Sequence, residues 1–146
     1  MTNLTPQLQY GFNGGIWNNL ETAVQGLTSL CDTVYVVTGA AFRKKGGSET
    51  IITIVNTRDS KTVPVPNYYW KALLKVSLSG DSITAATAIG FWLPHQDLKD
   101  EDYRDYAVSI NQLETWTGLN LFANLPSAME STAEANTNWT VFQNFR

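Results

Sequence analysis

The sequence predicts an α+β domain, a central, mostly antiparallel sheet with helices packed on it. Three observations carry this. An apolar stripe of helical spacing opens the chain at Ile16, Leu20, Ala23, Val24 and Leu27. Two long segments then alternate with period two across a Gly80-Asp81 turn, and a short helix with recognisable start and stop residues follows. The chain has 146 residues, 43% hydrophobic, with 10 Lys+Arg against 13 Asp+Glu. That composition excludes a disordered tail and fits one domain over 1–146, without repeats or an internal boundary.

The first helix is expected from Asn13 to Leu30, with Asn13 as its N-cap. At about 100° per residue, Asn13, Trp17 and Glu21 form a ridge on the flank of the buried stripe. Asp32–Thr38 is β-branched and aromatic and ends at Gly39, so it reads as a strand. A basic, Gly-rich loop follows over 40–48. Thr50–Val55 is a second strand, and Lys61–Pro66, with prolines at 64 and 66, is extended and at an edge.

In Tyr68–Ser79, Ala72, Leu74, Val76 and Leu78 face one way, and Leu73, Lys75, Ser77 and Ser79 the other. In Ile83–Leu93, the residues Ile83, Ala85, Ile89, Phe91 and Leu93 share one side. An acidic loop over 97–105 leads to a helix capped by Ser109 and stopped by Gly118, and a turn runs from Leu119 to Pro126. The tail, 127–146, is polar and weakly patterned; it docks, if anywhere, by Trp139 and Phe142.

Charge and composition narrow the function. Residues 1–42 hold no Lys or Arg, and Arg43-Lys44-Lys45 is the only basic cluster. A general polyanion-binding surface, which needs many phosphate contacts, is therefore not advertised. No stretch approaches the roughly 18–20 apolar residues of a membrane span. No signal segment follows Met1, and the abrupt polar start leaves open whether Met1 is the true beginning. The single Cys31 forbids an internal disulfide and reads as a small buried hydrophobe.

A resemblance adds what periodicity does not. Thr2-Asn3-Leu4-Thr5-Pro6-Gln7, Asn13-Gly14-Gly15-Ile16-Trp17-Asn18-Asn19-Leu20-Glu21 and Val34-Tyr35-Val36-Val37-Thr38-Gly39 are similar to motifs of the non-specific DNA/RNA endonucleases of the ββα-metal (His-Me finger) class. The likeness continues through Val65-Pro66-Asn67-Tyr68-Tyr69-Trp70-Lys71, Thr117-Gly118-Leu119 and Leu125-Pro126, in the family's order. It implies a ββα-metal fold, part of which lies outside the chain, and Mg²⁺-dependent hydrolysis of phosphodiester bonds in DNA and RNA. Asn13 matches the family's metal-ligating Asn, for Mg²⁺ or Mn²⁺. Such an ion takes oxygen ligands and keeps several waters, so one amide oxygen suffices. Glu21 matches the Glu that positions the metal's waters, and Asn3 the Asn that shapes the site. Secretion or periplasmic location is the family's common habit. Oligomeric state and any inhibitor partner are not specified.

Each residue also has a plainer reading. Asn13 alone is a helix cap, Glu21 a solvated helix carboxylate and Asn3 a turn former. Arg43, Lys44 and Lys45 either hold a nucleic-acid backbone or form a solvated loop tip. Tyr68, Tyr69 and Trp70 could stack bases, although alternation makes at least one of them core.

The family's Asp-Arg-Gly-His, whose His is the general base, does not occur in these residues, and Gln25 stands where some members carry an Arg. His95, the only histidine, sits at a strand end where the family has no catalytic residue; it reads as a surface side chain. Two functions follow: a nuclease whose base comes from sequence outside this chain, or an inactive truncated relative acting as a binding or interaction module. A carbohydrate-binding reading rests only on 5 Trp and 6 Tyr.

Overall fold

In a computed structural model, residues 5–27 and 33–146 are described; Asn3 and Cys31, and the expectations attached to them, lie outside these residues. The core is a four-stranded antiparallel sheet in the order β1-β4-β5-β6, built from β1 (Thr33–Ala41), β4 (Tyr68–Ser79), β5 (Ser82–Pro94) and β6 (Ala107–Val108). The α+β expectation holds. β2 (Ile52–Val55) and β3 (Thr62–Val65) form a separate antiparallel ribbon, in which Pro64 costs nothing because no further strand needs its missing N–H.

The long hairpin turns at Gly80, whose φ of +61° suits glycine. Period two puts Tyr69, Lys71, Leu73 and Lys75 of β4 on one face and Trp70, Ala72, Leu74 and Val76 on the other. Both faces are buried. On the first lie the N-terminal helical segments and α4 (Trp139–Asn144), through Phe12, Ile16, Trp17, Leu20, Trp139 and Phe142. On the second lie α2 (Ile110–Thr117) and α3 (Ser127–Glu134), through Ile110, Leu113 and Ala133. The molecule is thus helix, sheet, helix, with β1 as an edge paired only to β4 among the described residues. Each large side chain so buried stabilises by about 1.5–3 kcal/mol relative to exposure.

Three expectations need correction. The first helix is not continuous from Asn13: regular α1 covers Asn18–Gly26, and Gln9–Trp17 before it is a wide-turned segment broken by non-helical backbone at Tyr10, Gly11 and Gly15. Glycines at 11, 14 and 15 weaken helix formation there, and Gly11, at φ +74°, has the Asp97 side chain against the place a Cβ would occupy. Trp17 therefore leaves the flanking ridge and is buried, 4% exposed.

Ile83 does not share a face with Ile89. A bulge pairs Ser77 with Ala85 but Leu78 with Ile83, which turns Ile83 toward Leu74 on the α2–α3 side. The tail is helical over most of its length, and Trp139 and Phe142 do dock it. The caps of α2 are as read: the Ser109 side chain accepts from the Gln112 N–H, and Gly118 ends the helix at φ +76°.

Candidate functional site

Asn13 lies inside the irregular segment, not at a helix start. Its backbone N–H donates to Leu8 O at 2.9 Å, a wide turn that the flanking glycines permit. Its side-chain Nδ2 reaches Gln9 Oε1 at 3.5 Å, and Oδ1 accepts no hydrogen bond among the described residues. The acidic loop closes beside it: the Leu98 N–H donates to Gly11 O at 3.2 Å. Farther along that loop Asp102 clasps Arg104, which holds the Asp102 carboxyl below its usual range. Tyr106 donates to Glu101 at 2.6 Å, and burial together with that carboxylate pushes its hydroxyl up to about 12.

Glu21 stands one helix further, its side chain 46% exposed, with Oε1 3.8 Å from Lys71 Nζ. Lys71 rises from β4 and is 4% exposed. Its ammonium donates to Thr38 Oγ1 at 2.8 Å and sits 4.6 Å from the centre of the Trp17 ring. Burial pulls the Lys71 ammonium below the ordinary lysine value, and the Glu21 carboxylate opposes that fall.

Sequence reasoning missed what fixes the segment ahead of Asn13. The Tyr69 hydroxyl donates to Pro6 O at 2.8 Å, so it takes the proton of Thr5 Oγ1, also at 2.8 Å. His95 Nε2 accepts the Leu8 N–H at 2.8 Å, which leaves the ring proton on Nδ1 to donate to Pro66 O at 2.8 Å. The imidazole also packs edge-on against Phe12 and Tyr69, with ring centres 5.0 Å away in each case. His95 is a structural clamp with both nitrogens engaged. The signal available was the adjacency of Tyr69 to the buried alternation of β4; nothing in the sequence pairs His95 with Leu8.

The basic loop belongs elsewhere. Arg43 Nε donates to Glu49 O at 2.7 Å, Lys44 Nζ lies 3.7 Å from the centre of the Trp116 ring, and the Lys45 N–H donates to Trp116 O at 2.6 Å. The Glu49 carboxyl, taking backbone hydrogen bonds and one from Tyr68, is held below its usual range. Trp116 belongs to the α2–α3 side, whereas Asn13 and Glu21 adjoin residues of the opposite face. The structure thus gathers Asn13, the acidic loop and the Glu21–Lys71 pair on one side and sets Arg43, Lys44 and Lys45 at another. Of the three aromatics, Tyr69 and Trp70 are core, and Tyr68 is half-buried against Trp92. No group of three His, Cys, Asp or Glu among the described residues could hold a metal ion, so an ion here would rest chiefly on amide and water oxygens.

Comparison with known proteins gives this arrangement its context. The family model described as DNA/RNA non-specific endonuclease matches residues 1–128. Nuclease C1 of Cunninghamella echinulata is 31% identical over 126 residues, covering 86% of this chain and 48% of that protein. The Serratia marcescens nuclease is 26% identical over 137 residues, covering 92% and 47%. Among solved structures, EndoG in its complex with EndoGI superposes with a TM-score of 0.63 at 25% identity, covering 85% of this chain and 50% of that one. The chain spans about half the length of the curated relatives it matches. With the family model matched along nearly the whole chain and the α+β fold shared with EndoG, the chain belongs to the DNA/RNA non-specific endonuclease family.

Proposed function

We propose that this chain is the metal-bearing portion of a nuclease that cleaves phosphodiester bonds of DNA and RNA, with Asn13 Oδ1 as the protein's ligand to Mg²⁺ or Mn²⁺. The observation that carries the reading is the unspent amide oxygen of Asn13, set in a glycine-loosened turn while its NH₂ leans on Gln9. That donor fits a hard cation, which prefers oxygen and retains water. Such an ion, when bound, supplies charge stabilisation for the phosphate and the leaving oxygen. Glu21, half-exposed opposite Lys71, would accept hydrogen bonds from metal-held waters, and Asn3 would help shape the site. Arg43, Lys44 and Lys45 would hold the nucleic-acid backbone away from the reacting phosphate.

The general base would be a His outside these residues, since both nitrogens of His95 are engaged. The same observation favours a second reading, in which the chain binds nucleic acid without cutting it. Incubation of this chain together with the segment that supplies the His, with plasmid DNA or RNA and Mg²⁺, wild type beside Asn13→Ala, separates them. Cleavage that Asn13→Ala abolishes supports the nuclease; cleavage that survives overturns the metal assignment. Gel-shift binding without cleavage supports the binding module.

A further inference from the structure

We infer that Lys71 is a positioning residue of this site, holding Glu21 in place from beneath; the inference rests on the functional reading above. A lysine ammonium buried on a sheet face loses its hydration and is unfavourable there unless it is well paired. Lys71 meets that cost with three different partners from three elements: the hydroxyl of Thr38 on β1, the ring of Trp17, and the carboxylate of Glu21 on α1. The three are not equivalent. Thr38 and Trp17 fix where Nζ stands, because one is a directional hydrogen bond on a neighbouring strand and the other a buried ring. Glu21 is the open partner, with a side chain 46% exposed against 5% for Lys71. Order therefore passes from the rigid lysine to the open carboxylate, whose Oε1 faces Nζ while Oε2 makes no hydrogen bond or ion pair among the described residues.

A carboxylate free at a helix surface would sample several rotamers; one tethered from below presents a fixed acceptor to water. Electrostatics alone would act the other way. A positive charge near a cation site weakens cation binding, so deleting Lys71 should tighten it unless orientation matters more. The sign of the effect thus tells the two roles apart.

The test measures Mn²⁺ affinity of the whole chain by electron paramagnetic resonance in wild type, Lys71→Met, Glu21→Gln and the double variant, with folding checked by near-UV circular dichroism. Positioning predicts about tenfold weaker Mn²⁺ binding in Lys71→Met, as for other outer-shell partners, and no further loss when Glu21→Gln is already present. Thr38→Val, which keeps the charge but removes the hydrogen bond that seats it, should give a smaller loss of the same kind, and it decides the matter if Lys71→Met does not fold. Unchanged or tighter binding in the single variants, or equal loss in both backgrounds, overturns the inference. Failure of the wild type to bind Mn²⁺, or full binding by Asn13→Ala, overturns the functional reading, and the role of Lys71 falls with it.

Discussion

Lys71 and Lys75 stand on the same strand and the same face of the sheet, both buried, one under the N-terminal segments and the other under α4. Lys75 is fully enclosed, and its Nζ donates to the carbonyls of Phe142, Gln143 and Phe145 at 3.3, 3.2 and 2.5 Å. These are the outward-pointing carbonyls at the end of α4, the negative end of that helix. Lys71 instead faces a carboxylate open to water. One lysine closes the structure, and the other meets a carboxylate that water reaches. A buried cation alone therefore says little; the exposure of its partner separates scaffold from function.

The comparison can be broken most forcefully at Lys75. Lys75→Met should cost about 4 kcal/mol, since it strands buried acceptors and removes the charge that matches the helix end. Urea unfolding would measure it, and hydrogen exchange should show α4 released first. A loss under about 1 kcal/mol would mean that Trp139 and Phe142 dock the tail unaided.

The opposite face buries a carboxyl that has no ion-pair partner among the described residues. Glu134 on α3 is 4% exposed, its Oε1 has no hydrogen-bond partner among the described residues, and burial, then the nearby Glu114 and Glu130, push its carboxyl up to about 7. Folding raises this group from its ordinary 4.5, so the folded state holds the proton more tightly. Its stabilising contribution is full below about pH 4.5 and is lost as the pH climbs through about 7, a fall of roughly 3 kcal/mol. Chemical denaturation from pH 4.5 to 8 should show that slope in the wild type, and Glu134→Gln should flatten it.

The smallest effect concerns the open pair. Glu21→Gln should cost about 1 kcal/mol or less, because a half-exposed carboxylate is screened by water. Denaturation at low and high salt should show that small difference shrinking, while the loss in Lys75→Met stays constant, because enclosed contacts are screened far less.

Local chemistry made much of the fold readable. The hairpin of β4 and β5 follows from alternation and a glycine turn, and α2 from Ser109 and Gly118. What escaped depends on contacts distant in sequence. Alternation alone could not show that Lys75 faces the end of a helix much later in the chain, nor that Leu8 spends His95. The bulge that turns Ile83 lies in a run of small and polar residues, where side chains do not specify register. The glycines at 11, 14 and 15 were visible beside Asn13, but the regular apolar spacing from Ile16 onward outweighed them. Asn13 and Glu21 came from the family pattern, whereas Lys71, although it closes one of the matched strings, was given no role there, since a lysine on a strand ordinarily points to solvent.

The rim of the sheet at β1 bears on how the molecule behaves when crowded. Along Thr33–Ala41 there is no charge, proline or bulge, and Tyr35 and Val36 are 51% and 46% exposed. Those are the guards by which proteins stop sheets from growing sideways. Among the described residues this rim is left without a second neighbour, so if it stays open in solution, a lysine in place of Val36 should lower concentration-dependent association, read by light scattering.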